Sequence, residues 1–121
     1  NVVVGLIRKN KKFLISKRLK NKFLGGLWEL PGGKIKKGES PRECLEREVK
    51  EELNIVVHIH NRLGVVNHQY SHFKVSIILY ECQYQYGQAK ALASDEIKWI
   101  TNNQKKLFAF PSATHKLFQL I

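Results

Sequence analysis

The segment from Gly33 to Ile55 constrains this chain more than any other, because a glutamate-rich helix pattern follows a glycine pair there. Ser40 is a favoured helix N-cap residue, and Pro41 suits the first helical position, where a missing amide costs nothing. Glu43 stands where a capping box requires a carboxylate. These signals predict a helix that begins at Ser40 or Pro41 and continues to about Leu53.

The predicted helix has an apolar face and an acidic face. Three aliphatic residues recur every four positions and form the stripe that would face a core: Leu45, Val49 and Leu53. Three carboxylates share a neighbouring face at i, i+3, i+4 spacing: Glu48, Glu51 and Glu52. Like charges at this spacing repel by about 0.2–0.5 kcal/mol per pair, so the acidic face needs an explanation.

Two interpretations of the acidic face remain open from the residues alone. One is an ordinary solvated face in which Arg47 and Lys50 pair locally with the acids. The other is a site for a hard divalent cation such as magnesium, which takes oxygen ligands. Glu39 precedes the helix closely enough to join such a site. The pair Gly32 and Gly33 predicts a tight turn that offers an unhindered backbone carbonyl.

The spacing of these residues resembles the Nudix box, G-x5-E-x7-R-E-U-x-E-E-x-G-U, where U is an aliphatic residue. The matching residues are Gly33, Glu39, Arg47, Glu48, Val49, Glu51, Glu52 and Ile55. Asn54 stands where the pattern has its final glycine. Because asparagine is the next-best residue for a left-handed helix cap, we expect the turn to form.

Segments outside the box extend the resemblance to nearly the whole chain. Leu27–Lys34 resembles the segment that precedes the box in MutT-like Nudix proteins. His68–Phe73 resembles the Nudix-like C-terminal domain of MutY-type adenine glycosylases. Phe110–Thr114 resembles the F-P-x-A-N segment of MutT-like enzymes, whose asparagine contacts an oxidised guanine base; Thr114 occupies that position here.

The apolar patterns predict an α/β (α+β) fold in which a mixed sheet lies between helices, in agreement with the α/β/α sandwich of Nudix proteins. The predicted strands are Val2–Ile7, Phe13–Lys17, Leu27–Leu30, Ile55–Ile59, Leu63–Tyr70, Phe73–Cys82 and Ile97–Ile100, with Phe73–Cys82 the longest. We expect a brief helix near Lys105 and a last helix with Ser112 as N-cap. At 121 residues the chain is expected to be a single Nudix domain, residues 1–121.

The resemblance implies a hydrolase in which water attacks a phosphorus atom of a nucleoside diphosphate linked to a further group. It also implies a Mg²⁺ cofactor, for which Mn²⁺ would substitute. The implied metal ligands are Glu48, Glu51, Glu52 and the Gly32 carbonyl, with Glu39 a weaker member. The catalytic residues are expected to be Glu51, Glu48, Arg47 and Glu96, where Arg47 orients the acids. Glu96 or Asp95 is the candidate general base, although a pair of ordinary strand-edge charges explains both residues equally well.

The residues expected to contact substrate are Arg18, Trp28, Lys34, Asp95, Phe110 and Thr114. Trp28 has two explanations, because a tryptophan beside Leu27 and Leu30 lies in a core more often than it stacks on a base. The substrate is expected to be a nucleoside triphosphate, oxidised or otherwise unwanted, that is hydrolysed to the monophosphate and pyrophosphate.

Charge favours a polyanionic partner without choosing between nucleotide and DNA. The formal net charge is +11, and seven of the ten acidic residues lie between positions 29 and 52. The remaining chain is therefore strongly basic and attracts phosphates through its field. DNA contact is one expectation for this basic surface, which includes Lys9, Lys11, Lys12, Arg18, Lys20 and Lys22.

Two functions remain after these observations. The first is a free-standing hydrolase, and the second is a non-catalytic lesion-recognition domain of an adenine glycosylase. The start at Asn1 without methionine is expected of a trimmed chain or of a piece of a longer protein. Retention of every carboxylate of the box favours the hydrolase, because a repulsive cluster has little use without an ion. Two cysteines without metal-ligand spacing predict free thiols and a cytoplasmic location.

Overall fold

The computed structural model describes residues 1–121, which form seven strands and two α-helices. In chain order these are β1 (Val2–Lys9), β2 (Lys12–Lys17), β3 (Trp28–Glu29), β4 (Gly32–Lys34), α1 (Pro41–Leu53), β5 (Val56–Gln69), β6 (Lys74–Tyr86), β7 (Glu96–Thr101), a 3₁₀ helix (Asn102–Leu107) and α2 (Ser112–Phe118). The main path of the sheet is β3-β2-β1-β6-β5, while β4 pairs with β1 and β7 pairs with β2. No helix has the length and apolarity that crossing a membrane requires.

The sheet is mixed and carries a helix on each face, as predicted. Strand β1 runs parallel to β6 and antiparallel to β2. Because side chains alternate along a strand, Val3 and Ile7 enter one core and Val4 and Leu6 enter the other. Helix α1 covers the first core with its fully buried stripe of Leu45, Val49 and Leu53. Helix α2 covers the second with Ala113 and Leu117.

Both ends of α1 form as the sequence predicts. The Ser40 hydroxyl accepts a hydrogen bond from the Glu43 amide at 3.1 Å, and the Glu43 carboxylate accepts one from the Ser40 amide at 2.8 Å. At the other end, Asn54 takes the left-handed conformation with φ 59° and donates its amide to the Lys50 carbonyl at 3.0 Å. The acidic face is therefore carried by a helix that is capped at both termini.

The predicted glycine turn is wrong, because Gly32 and Gly33 lie in strand β4. This strand pairs antiparallel with β1, and Gly32 faces Val4 while Gly33 faces Val3. A Cβ atom on Gly32 would collide with the Val3 carbonyl oxygen. The glycines therefore allow two backbones to approach closely rather than reversing the chain.

Other predicted elements also differ from the structure, and most of their bounds differ by one to four residues. The segments Ile55–Ile59 and Leu63–Tyr70 belong to one strand, β5, whose register shifts around Arg62 where a polar stretch interrupts the apolar pattern. With 14 residues β5, not β6, is the longest strand. Pro111 rather than Ser112 is the N-cap of α2, and the cap has no side-chain hydrogen bond.

Candidate active site

Arg47 gathers three carboxylates around one guanidinium group. Its Nε and Nη2 donate to Glu39 Oε2 and Oε1 at 3.0 and 2.8 Å. Its Nη1 donates to Glu48 Oε1 at 2.8 Å and to Glu51 Oε2 at 3.3 Å. Glu39 and Glu48 are largely covered, with side-chain exposures of 16% and 18%, whereas Glu51 is 59% exposed. Glu39 thus meets Glu48 and Glu51, which lie nine and twelve positions later in the sequence, at the guanidinium group of Arg47.

The Arg47 guanidinium holds Glu39 in its ionised form. Hydrogen bonds from Arg47 and from the Lys36 amide lower the pKa of the Glu39 carboxyl from 4.5 to about 2. The same pairing raises the pKa of Arg47 above its ordinary value. Both oxygens of Glu39 are therefore engaged by donors from the protein.

Glu48 lies directly against the backbone of Gly33. A Cβ atom on Gly33 would come within 2.5 Å of the carboxylate carbon and Oε2 of Glu48. A larger residue at position 33 would force the Glu48 carboxylate to move, so the glycine permits the close approach of this carboxylate to β4.

Glu52 carries a polar atom that the protein leaves without a partner. Its Oε1 is buried and makes no hydrogen bond. Burial first, and then the charges of Glu48 and Glu29, raise the pKa of Glu52 to about 8, while the Gly32 amide lowers it. The Gly32 amide therefore compensates an ionised Glu52 only in part, and a bound cation would supply the rest.

These residues fit a divalent cation by their chemistry. Hard cations require oxygen ligands, and the orphaned Oε1 of Glu52 lies among further carboxylates and beside the backbone of Gly32. As the side chains stand, no three His, Cys, Asp or Glu residues come close enough together to hold an ion. Arg47 instead engages one oxygen each of Glu48 and Glu51.

A mainly apolar cavity of about 200 Å³ opens beside β4 and α2. Three of the predicted substrate contacts line it, namely Arg18, Lys34 and Thr114. Arg18 Nη1 pairs with the Glu29 carboxylate, another lining residue, at 3.2 Å. Burial raises the pKa of Glu29, while the Arg18 charge opposes that shift. The cavity thus combines an apolar wall with a small number of polar groups, as pockets for small molecules do.

Three aromatic residues that are not among the predicted substrate contacts also line this cavity: Phe23, Tyr70 and Phe73. Their ring centroids are 5.2 Å apart for Phe23 and Tyr70, 5.8 Å for Phe23 and Phe73, and 4.8 Å for Tyr70 and Phe73. Phe23 is 56% exposed although it is large and apolar. Two signals in the sequence point to these residues: Phe23 stands in a basic loop with no evident place in a core, and Tyr70 and Phe73 belong to the segment His68–Phe73.

Trp28 and Phe110 lie in the core on the α2 face rather than in the cavity. Trp28 packs edge-to-face on Phe108, with centroids 5.2 Å apart, and Phe110 packs in the same way on Phe118 at 5.0 Å. Both side chains are 7% exposed. In this structure the two residues belong to the core, and their contact with a substrate stays a prediction.

Asp95 and Glu96 lie apart from the cluster of Arg47. Together with Lys17 and Lys20 they line a separate open depression. The Asp95 amide donates to the Lys17 carbonyl at 3.0 Å, and the Glu96 carboxylate pairs with Lys98 at 3.5 Å. Neither carboxylate bonds to a residue of the box, so their part in catalysis stays a prediction.

Comparisons with known proteins agree with this geometry. Residues 2–120 match the family described as the NUDIX domain. An 8-oxo-dGTP diphosphatase of Buchnera aphidicola subsp. Schizaphis graminum (strain Sg) is 31% identical over 112 residues, which cover 93% of this chain and 85% of the relative. A CTP pyrophosphohydrolase of Escherichia coli (strain K12) is 43% identical over 54 residues, or 45% of this chain and 40% of the relative. The crystal structure of a MutT protein from Methanosarcina mazei Go1 has a TM-score of 0.87 at 30% identity and covers 98% of this chain and 88% of that one.

Proposed function

The chain belongs to the NUDIX domain family and is a nucleotide pyrophosphohydrolase, and from this premise we propose that its substrates are oxidised nucleoside triphosphates. The products are the nucleoside monophosphate and pyrophosphate. Residues 1–121 act as one domain in this proposal. The observation that carries it is the orphaned Oε1 of Glu52 beside the carboxylates that Arg47 gathers, because a bound cation would give this buried oxygen the partner that the protein does not supply.

Enzymes of this family use a divalent metal ion, and we assign Mg²⁺ to this one, with Mn²⁺ able to replace it. Glu48, Glu51, Glu52 and the Gly32 carbonyl are the proposed ligands. When bound, the ion would neutralise charge on the phosphate chain and lower the pKa of the attacking water. Glu39 acts through Arg47, since both of its oxygens already accept hydrogen bonds from the protein.

The proposed reaction needs a general base, and it needs a residue that holds the carboxylates of the box in position. A carboxylate accepts a proton from water, the water oxygen bonds to the α- or β-phosphorus atom, and the P–O bond that bridges these two phosphorus atoms breaks, which releases the nucleoside monophosphate and pyrophosphate. Glu96 and Asp95 are the candidates for this base outside the box, and Glu51 is the candidate within it. Glu51 belongs to the Arg47 cluster but is more than half exposed, whereas Glu96 would need to move from its pair with Lys98. Arg47 holds Glu48 and Glu51 in position throughout.

The cavity beside β4 is the proposed site of the base and sugar. Its apolar wall and the exposed ring of Phe23 suit a flat aromatic ligand. Arg18 and Lys34 supply positive charge at the same cavity for the phosphates. The buried Thr114 offers one hydroxyl in place of the amide found in the F-P-x-A-N segment, so it presents fewer hydrogen-bond groups to a purine edge.

A lesion-recognition domain without catalysis is the second candidate. It is favoured less, because Arg47, Glu48, Glu51 and Glu52 are all present and the similar proteins named above are hydrolases by name. DNA contact through the lysine-rich surface stays a prediction of the basic charge. The buried free thiols of Cys44 and Cys82 suit a reducing compartment, and we propose the cytoplasm.

Pyrophosphate release from a panel of nucleoside triphosphates separates the two candidates. The panel contains ordinary and oxidised dGTP and dATP together with CTP, each with Mg²⁺ and with EDTA. Metal-dependent release with a preference for an oxidised purine supports the proposal. Absence of release across the panel, combined with tight binding to duplex DNA that carries an oxoguanine–adenine mismatch, favours the lesion-recognition domain.

A further inference from the structure

The segment 87–95 is attached directly to the C-terminal end of the acidic helix. The Lys90 amide donates to the Leu53 carbonyl at 2.9 Å, and the Leu92 amide donates to the Glu52 carbonyl at 3.0 Å. Farther along, the Asp95 amide donates to the Lys17 carbonyl at 3.0 Å. This segment therefore connects the backbone of a proposed metal ligand to the residues proposed as general base.

Asn54 makes a contact in this region that no glycine can make. Its backbone amide caps α1 on the Lys50 carbonyl, and its side-chain Nδ2 donates to the Gln88 carbonyl at 3.2 Å. Glycine, which the Nudix box has at this position, provides the left-handed cap without a side chain. The side-chain amide of Asn54 thus has a partner on segment 87–95 in addition to the role of Asn54 in ending the helix.

The backbone near Gly87 comes unusually close to the end of the helix. Gly87 has φ +106°, and a Cβ atom there would lie 2.7 Å from the Asn54 carbonyl oxygen and 3.0 Å from Ile55 Cα. The Tyr84 hydroxyl also donates to the Gly87 carbonyl. The start of the segment is thus packed against the end of α1, and the Asn54 amide reaches the next carbonyl along.

We propose that Asn54 is a positioning residue whose side-chain amide holds segment 87–95 against the end of α1. It thereby helps to fix Asp95, at the end of the segment, relative to the carboxylates of the helix, while Glu96 pairs with Lys17 as the first residue of β7. The inference rests on the proposed function, because position matters to turnover only if both groups serve one reaction. The proposal also predicts that the Asn54 side chain keeps segment 87–95 ordered, and this order can be measured without substrate or metal.

The test compares Asn54→Gly with Asn54→Asp and Gln88→Ala. Asn54→Gly keeps the left-handed cap and removes the donor, while Asn54→Asp keeps a branched side chain that cannot donate when ionised. Gln88 contributes only its backbone carbonyl, so Gln88→Ala is the matched control. The readouts are amide hydrogen exchange at Lys90 and Leu92, the thermal midpoint, and kcat and KM separately.

In both Asn54 variants, loss of this hydrogen bond is expected to raise the hydrogen-exchange rate of the Lys90 and Leu92 amides by about 3- to 10-fold. The value of kcat should fall by about 3- to 10-fold in the same variants. KM should change by less than about twofold, because the nucleotide cavity is lined by other residues. The thermal midpoint of Asn54→Gly should equal or exceed that of the wild type, since glycine is the preferred cap. Gln88→Ala should match the wild type throughout.

A role in helix capping alone predicts the opposite pattern. Asn54→Gly would then match the wild type in exchange and in kcat, and that result overturns the inference even if the wild type hydrolyses nucleotides. Should the wild type itself release no pyrophosphate with Mg²⁺, the proposed function fails instead. Even if the wild type is inactive, unchanged amide hydrogen exchange at Lys90 and Leu92 in Asn54→Gly would contradict the positioning role of Asn54.

Discussion

Arg47 holds Glu39 through two parallel hydrogen bonds, Nε to Oε2 at 3.0 Å and Nη2 to Oε1 at 2.8 Å, and this leaves Nη1 free for the helix acids. Such a bidentate pair fixes the plane of the guanidinium and not merely its position. Glu39 therefore sets the direction from which Arg47 meets Glu48 and Glu51.

Arg47→Lys tests whether this orientation matters to catalysis. Lysine keeps the charge but cannot span Glu39 and Glu48 together, so we expect kcat/KM to fall by about 10- to 100-fold. Steady-state kinetics with saturating Mg²⁺ measures the effect. The neighbouring exposed Lys50→Ala is the control and should stay within about twofold of the wild type. Equal activities for Arg47→Lys and the wild type would contradict an orienting role.

Gly33→Ala tests the close approach of Glu48 to strand β4. The added methyl group would lie 2.5 Å from the carboxylate, so the carboxylate must move. A displacement of about 1 Å in a catalytic site costs on the order of 100-fold in rate. We expect that loss in kcat, with the unfolding transition still cooperative. The contact is not needed for catalysis if Gly33→Ala folds and turns over at the wild-type rate.

The raised pKa of Glu52 predicts a pH-dependent stability for the metal-free protein. Between pH 4.5 and about 8 the folded protein keeps a proton on Glu52 that the unfolded chain has released, so stability decreases as pH rises. Glu52→Gln removes this loss. In EDTA, urea unfolding should show the variant equal to the wild type near pH 4.5 and more stable near pH 8. A variant that is less stable than the wild type at pH 8 would refute the burial argument.

The aromatic residues at the cavity predict a binding effect rather than a rate effect. Phe23→Ala removes a ring that is free to stack on a base, and base–aromatic stacking contributes about 1–3 kcal/mol. We expect KM to rise about 10-fold while kcat changes by less than threefold. Leu107→Ala, which removes a similarly exposed apolar side chain outside the cavity, should leave both constants unchanged. A fall in kcat at constant KM would argue against a base site here.

Thr114→Asn tests how the cavity selects its base. The substitution restores an amide that both donates and accepts, which a purine edge can engage at two points. The ratio of kcat/KM for oxidised dGTP to that for CTP should increase by about 10-fold. Competition assays with both nucleotides in one reaction measure this ratio directly. An unchanged ratio would mean that Thr114 does not contact the base.

The sequence predicts the acidic helix well because its signals are local. Ser40, Glu43 and Asn54 act on backbone groups within four residues, so their effect can be read without knowing the rest of the fold. The prediction for Gly32 and Gly33 is wrong because the contacts of these residues are not local. They pack against Val3 and Glu48, which are distant in sequence and come close only in the folded chain.

The aromatic residues of the cavity could not be grouped from the sequence for the same reason. Phe23 lies between β2 and β3, whereas Tyr70 and Phe73 lie between β5 and β6, and no periodic pattern connects these two loops. Strand β5 could not be predicted as one element either. Its irregular middle is held by Arg42 of α1, which donates to the carbonyls of Ile59 and His60 at 2.9 and 2.7 Å. Such contacts depend on how the helix packs and not on local preference.

If the acidic face of α1 is a divalent metal site for nucleotide hydrolysis, turnover must depend on both the metal ion and Glu52. The most direct measurement is pyrophosphate release from oxidised dGTP by the wild type and by Glu52→Gln, each with Mg²⁺ and with EDTA. We expect turnover by the wild type with Mg²⁺, no turnover with EDTA, and a decrease of at least about 100-fold in Glu52→Gln. Turnover that persists in EDTA, or that stays within a few-fold of wild type in the variant, would contradict the assignment of this metal site.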